Sequence, residues 1–394
     1  MLQFLFILIT LFSGQFLAAQ IVNIPDANFK QALLENHPVI DTNGDGEIQV
    51  SEAEAATNIF VHDKNITDLT GIEAFVNITS LTCSSNPIST VDLSNNPDLE
   101  LLVIGRTNLS SLDISQNTAL FTLYIDNTNI TEIDTSNHPN LEFLNAAYGS
   151  LESVDLSNNP NLVILKLEDT NVETLDLSSN PLLEALGIYG TVIDDLDFSL
   201  LPNLKIISLG NNNIETIDFS ENPDLCSVFI GNCPALEYIN LKNGNNELLV
   251  PNTDCSINVT HGGLSSTSGL NVISNNPNLS TICVDDVDFA EQNFTLVPPQ
   301  TQFTEDCNLA INEYAFTSLQ YYPNPVGDVL NINLDRMITK VEIYSVLGKR
   351  IKDYTIDTKQ AQLKVDDLTE GIYFVTVFTE DFRKVFRIVK SGSR

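Results

Sequence analysis

Val91-Asp-Leu-Ser-Asn-Asn-Pro97 returns as Val154-Asp-Leu-Ser-Asn-Asn-Pro160, and again as Leu175-Asp-Leu-Ser-Ser-Asn-Pro181. Its aspartate belongs to a series, Asp92, Asp113, Asp134, Asp155, Asp176, Asp197 and Asp218, spaced by 21 residues throughout. No active site needs such a comb. A fixed period of this length marks a solenoid, whose units bury their apolar side only by stacking.

Each unit holds two copies of one half-pattern. The first reads Leu99-x-x-Leu102-x-Ile104, Leu120-x-x-Leu123-x-Ile125 and Leu162-x-x-Leu165-x-Leu167; the second reads Leu109-x-x-Leu112-x-Ile114 and Ile214-x-x-Ile217-x-Phe219. The alternation closing each half predicts a short strand with every second residue inward. The Asn-Pro and Ser-Asn pairs between halves are turn chemistry. Stacked units would set strands about 4.8 Å apart.

Comparing repeats separates two faces. On the aspartate strand the outward positions barely vary, and Ser94, Ser115, Ser136, Ser157, Ser178, Ser199 and Ser220 complete a polar ladder. Stacked like charges there repel by roughly 1 kcal/mol per pair at most in water, which serine hydroxyls would offset. A solvated scaffold is the expectation and a cation-binding row the alternative. The outward positions of the other strand vary freely: Leu101, Val103, Tyr124, Phe143, Asn145, Ile164, Lys166, Ile206, Ser208 and Phe229, with Arg106, Tyr148 and Tyr189 just beyond. Variety with aromatics suits recognition of a ligand.

Charge divides the chain. The net charge is −34, yet residues 310–394 hold 12 of the 18 Lys+Arg and 11 of the 52 Asp+Glu. The acidic remainder repels phosphate backbones, excludes nucleic acid as a partner and favours cations. Residues 1–19 lack charged side chains and end Leu-Ala-Ala, reading as a secretory signal cut after Ala19. No other stretch approaches the roughly 18 apolar residues of a membrane span, so a soluble exported monomer is expected. Of six cysteines, Cys83 sits at a core position, and Cys283 and Cys307, bracketing the last acidic segment, are the expected disulfide. Cys226, Cys233 and Cys255 leave at least one thiol unassigned.

Residues 24–38 read as a short helix opened by Pro25 and Asp26, with Phe29, Leu33 and Leu34 on one side. Asp41-Thr-Asn43-Gly-Asp45-Gly-Glu47-Ile-Gln49-Val-Ser-Glu52 then fills every position of an EF-hand calcium loop. Asp41, Asn43 and Asp45 would ligate by side chain, Glu47 by its carbonyl, Gln49 through water and Glu52 bidentately. One unpaired loop predicts a single structural Ca2+ capping the first repeat. His37, His62, His138 and His261 are scattered, and His261-Gly-Gly resembles an oxyanion loop without a Gly-x-Ser-x-Gly elbow. The chain is therefore expected not to be an enzyme.

Tyr322-Pro323-Asn324-Pro325 opens the tail, with strand-like runs at 329–334, 340–346, 361–365, 371–379 and 382–390 that predict a small immunoglobulin-like β-sandwich.

The repeats over 78–241 resemble the leucine-rich repeat family in its 21-residue, internalin J-like form. The family's asparagine position holds Asn86 and Asn212, with Thr107, Thr128, Gly149, Thr170 and Thr191 between them. The tail, through Tyr322–Pro325, Val341–Gly348, Gly371-Ile372-Tyr373 and the closing run to Lys390, resembles the type A C-terminal sorting domain of the type IX secretion system. That resemblance implies a Bacteroidetes-type, Gram-negative bacterium, recognition by the type IX translocon, and a protein secreted or held at the outer surface.

The expected organisation is a mainly β chain: signal 1–19, a calcium-loop cap 20–77, leucine-rich repeats 78–241, irregular repeats and C-terminal cap 242–309, linker 310–317 and sorting domain 318–394. Its expected role is binding or adhesion to a protein or glycan. A secreted enzyme with an unrecognised site and a structural envelope spacer are the alternatives.

Overall fold

The computed structural model describes residues 20–250, 255–257, 271–307, 319–346, 349–379 and 383–391. The signal segment, His261-Gly262-Gly263, the 310–317 linker and Gly348 lie outside the described residues.

The first half-pattern of each repeat forms a strand, and these strands make a ten-stranded parallel sheet in chain order, from Asn58–Phe60 to Asn271–Ser274. Register advances by one repeat per strand: Leu81 pairs with Leu102, Leu102 with Leu123, Leu123 with Leu144, Leu144 with Leu165 and Leu165 with Leu186. These leucines are buried in one core that runs from Val22 to Phe294. Truncating any of them to Ala would cost about 2–5 kcal/mol, because a stacked core closes poorly over a void.

The aspartate half departs from the expected regular strand. Only Glu132–Ile133 with Ser153–Val154, and a four-stranded set beginning at Thr216–Asp218, pair there among the described residues. The reason is local. In every one of the seven units the aspartate Oδ1 accepts the backbone N–H of the serine two residues on, at 2.9–3.0 Å. An Asx turn therefore bends the chain where a strand would continue. Serine hydroxyls add to this: that of Ser199 donates to Asp197 at 2.6 Å, and those of Ser94, Ser115 and Ser136 help hold Asp92, Asp113 and Asp134 below the usual carboxylate pKa.

The asparagine four residues after the aspartate, followed by proline in every case but Asn117, carries more weight. Asn96, Asn117, Asn159, Asn180 and Asn222 are wholly buried. Each donates its amide to two carbonyls of the preceding turn: Asn117 to Leu93 and Asn96, Asn159 to Thr135 and His138, Asn180 to Leu156 and Asn159. Buried turn carbonyls need such partners. At the family's other asparagine position, Thr107, Thr128, Thr170 and Thr191 donate Oγ1 to the carbonyl three residues back, closing the same turn.

The N-terminal helix is Ala27–Leu34, shorter than expected, with Asp26 accepting the N–H groups of Asn28 and Phe29. It buries Phe29, Ala32 and Leu33 over the first turn. Asn36 finishes that edge: it donates to the Asn58 carbonyl at 3.2 Å and accepts the Phe60 N–H at 2.7 Å, as a neighbouring strand would. At the far end the helix Val287–Asn293 and the strand Gln302–Thr304 follow, and Cys283 and Cys307 form a disulfide. Cys226 pairs with Cys255, while Cys83 and Cys233 are free and buried.

The tail is five antiparallel strands with a core of their own. The runs expected at 329–334 and 340–346 are one strand, Val329–Ser345, broken in register on either side of Ile338.

Candidate recognition surface

Two outward columns cross the ten-stranded sheet. The first, Leu101, Thr122, Phe143, Ile164, Ala185 and Ile206, differs from expectation at its centre. Phe143 and Ile164 are 1% and 0% exposed and belong to a small second core with Ala185 and Ile257. Ile257 arrives from the excursion that the Cys226–Cys255 bridge ties to the sheet. Apolar side chains here serve an internal contact, which corrects the reading of Phe143 and Ile164 as ligand-facing. The covering residue lies more than 90 residues along the chain, beyond the reach of a repeat comparison.

The second column, Val103, Tyr124, Asn145, Lys166, Ser208 and Phe229, stays partly exposed, as does Leu101. Tyr124 stacks on Phe143 with ring centroids 4.5 Å apart.

Beside this column runs a rim of left-handed residues: Arg106, Asn127, Tyr148, Asp169, Gly190, Asn211 and Asn232 all have positive φ. The conformation lets each N–H reach a carbonyl of the next turn, as Arg106 does to Asp126 at 2.6 Å and Tyr148 to Glu168 at 2.6 Å. Asn, Asp and Gly suit it; Arg106 and Tyr148 sit there at a cost of order 1–3 kcal/mol each. Tyr148 is also 61% exposed.

The residue preceding each rim position decides what lies between rim and sheet. Asp126 lies over Gly105, Glu168 over Gly187 and Tyr189 over Gly210, in spaces that a Cβ on those glycines would fill. The Tyr189 hydroxyl accepts from Asn211 Nδ2 at 2.9 Å, and its ring lies 5.9 Å from Phe229. Asp126 has the Arg106 guanidinium 3.6 Å away. Glu168 has no such counterpart: its Oε2 is buried without a hydrogen-bond partner among the described residues, and burial pushes its pKa up. Burial first, then the charges of Glu168 and Asp169, raise that of Tyr148. Neither Asp126 nor Glu168 stands out in the sequence; the glycines beside them, Gly105 and Gly187, were the available signal.

The acidic loop 41–52 closes on itself. Asp41 accepts the N–H groups of Gly44 and Gly46, Asn43 that of Asp45, and Asp45 that of Glu47. Glu52, 8% exposed, accepts from the backbone of Thr42, Asn43 and Gln49 and from the Thr42 hydroxyl. Burial alone would raise the Glu52 pKa, but these donors outweigh it and lower it. The Gln49 amide bridges Asn43 and Asp45 at the loop's centre. The Glu47 side chain points away, to Lys30 at 2.6 Å, leaving only its carbonyl for the loop. Val22 and Val50 N–H groups pair residues 20–22 with the loop's exit. Among the described residues no group of three His, Cys, Asp or Glu side chains stands ready to hold a metal. The donors nevertheless fit calcium, since a carboxylate or amide oxygen accepting one N–H keeps a second lone pair.

In the tail, Asn324 of the Tyr322-Pro323-Asn324-Pro325 segment accepts the Val389 N–H at 2.8 Å and donates to the Arg387 carbonyl. Gly371 pairs with Lys390, which is buried, and the Tyr373 hydroxyl donates to the Thr369 carbonyl. The first and last motifs thus lock together. Residues 320–391 match the family described as the secretion system C-terminal sorting domain. Residues 320–391 are thus a secretion-system C-terminal sorting domain, and the turns before them form a parallel β-solenoid of the leucine-rich repeat kind. A type IX sorting domain marks export to the cell surface or the extracellular space. Among the described residues no helix is long and apolar enough to cross a membrane.

Solved structures similar to this chain include three internalins of Listeria monocytogenes. Internalin C2 is 20% identical with a TM-score of 0.45, covering 50% of this chain and 89% of its own. The functional domain of InlJ is 19% identical with a TM-score of 0.33, covering 95% and 99%. Internalin F is 18% identical with a TM-score of 0.40, covering 74% and 95%. No curated protein matches the sequence.

Proposed function

We propose that the solenoid is a non-catalytic recognition module, delivered outside the cell by its tail, that captures a protein or glycan. The strip it uses runs through Leu101, Val103, Arg106, Tyr124, Tyr148, Lys166, Tyr189 and Phe229. One observation carries the reading: Tyr148 is held largely exposed in a backbone conformation that disfavours it, beside a sheet face whose outward residues change at every turn. Exposed aromatics on a rigid scaffold are what interfaces use as anchors. A pull-down from envelope extracts with the chain lacking residues 1–19 tests it. Tyr148→Ala with Tyr189→Ala should abolish capture while leaving the melting temperature in place; undiminished capture would overturn the assignment.

The same proposal includes one structural Ca2+ at 41–52, held by Asp41, Asn43, Asp45, the Glu47 carbonyl and Glu52. Bound there, the ion would neutralise the carboxylates and fix the cap over the first strand.

A further inference from the structure

Asp126 and Glu168 occupy the same position two repeats apart, Asp126 lying over Gly105 of the preceding turn and Glu168 over Gly187 of the following strand. Each accepts, at its backbone carbonyl, the N–H of the rim residue twenty positions earlier, and that rim residue differs between them. The rim position that faces Asp126 is Arg106, which supplies a guanidinium. The rim position that faces Glu168 is Tyr148, which does not. Glu168 is left with a buried oxygen lacking any hydrogen-bond partner among the described residues. Lys166 is near enough to favour its ionised form, but no ion pair joins them among the described residues. Asp169 stands next to it on the rim, and the Tyr148 hydroxyl is near enough to both carboxylates to feel their charge.

We infer that Glu168 is the anchor for a basic side chain, lysine or arginine, presented by a protein partner. The partner's cation would take the place that Arg106 takes over Asp126, pairing with Glu168 and Asp169 and lying against the Tyr148 ring. Three effects act together. A charge-assisted hydrogen bond satisfies a buried oxygen whose isolation is costly. The tyrosine face attracts the cation. The acidic field of the solenoid, 6 basic against 41 acidic groups over residues 1–309, steers cations toward it. The inference rests on the recognition surface proposed above.

The test passes otherwise identical Gly-Ser peptides, carrying one lysine, arginine, Nε-acetyl-lysine or citrulline, over the immobilised chain lacking residues 1–19. Lysine and arginine peptides should be retained and the two neutral ones not. Glu168→Gln should cut that retention about tenfold, the loss of one charge-assisted bond, while Glu173→Gln, the same charge change at an exposed site, leaves it unchanged. Tyr148→Arg, which rebuilds the Arg106–Asp126 arrangement internally, should also block retention, and it does so without removing the carboxylate. Equal losses in Glu168→Gln and Glu173→Gln, or equal retention of charged and neutral peptides, would overturn the anchor. If that happens while the Tyr148→Ala, Tyr189→Ala pair still loses its captured partner, the surface stands and only the basic anchor falls.

Discussion

The His138 Nε2 donates to the Ile114 carbonyl at 3.1 Å, filling the place that asparagine holds in the turns on either side. His138 is wholly buried and its Nδ1 has no partner among the described residues. Burial holds its pKa below the usual histidine value, with Asp134 pulling weakly the other way. A folded-state pKa below the unfolded one contributes stability that is present above about pH 6.5 and lost as pH falls through the folded value. The wild-type chain should therefore lose stability between pH 7.5 and 5.5. His138→Asn, which completes the amide ladder, should lose less, so the gap between the two melting curves should widen toward pH 5.5. Parallel curves would show that His138 is not the titrating group.

Asn117→Ala removes one amide that serves two buried carbonyls, Leu93 and Asn96. A cost of about 2–3 kcal/mol is expected by urea denaturation. Asp113→Asn keeps the turn, because an amide oxygen accepts the Ser115 N–H equally well, and it relieves repulsion from Asp92 and Asp134. Its midpoint should match or exceed wild type. A reversal of the two results would mean that the carboxylates, not the amides, hold the turns.

Calcium added to chelator-treated protein should raise the first thermal transition, and Glu52→Gln should remove that response, since Glu52 ties the loop's start to its exit. Isothermal titration reads the stoichiometry, expected to be one. No heat, with the metal-free state confirmed, would rule the ion out.

Opening the Cys226–Cys255 bridge by Cys255→Ser should free Ile257 and uncover Phe143, Ile164 and Ala185. Binding of a hydrophobic dye to the folded protein reports this. Unchanged dye binding would show that packing alone holds the contact.

Deleting 318–394 should leave the protein inside the cell envelope, since that segment contains the residues matched to the sorting family. Its appearance in the medium would separate export from the tail.

Period and residue type made the solenoid legible, because a 21-residue spacing with inward leucines permits little else. The Asn-Pro pairs were legible only as turns. That their amides reach back 21 and 24 residues to bond the previous turn is a fact of stacking, and it explains why asparagine rather than aspartate is buried there. The variable face was legible as a column but not as a surface. Ile257 lies far along the chain, and nothing within the repeats says that it returns to cover Phe143. Tyr148 stood out by its type, whereas its left-handed backbone and the lone carboxylate of Glu168 are visible only once neighbouring turns are set side by side.

Each ladder asparagine is a donor to the turn before it, and where another asparagine follows one turn later its own carbonyl is an acceptor for that turn, as Asn96 is for Asn117 and Asn159 for Asn180. A duplicated block of 21 residues that holds such an asparagine carries one donor and one acceptor with it and leaves its join matched. Such a gene can therefore change length by whole turns with the amide-to-carbonyl joins intact, while an insertion of any other size within a turn breaks the join. The unit of inheritance and the unit of hydrogen bonding coincide, so the binding face can be lengthened or reshuffled over time without redesigning the scaffold beneath it.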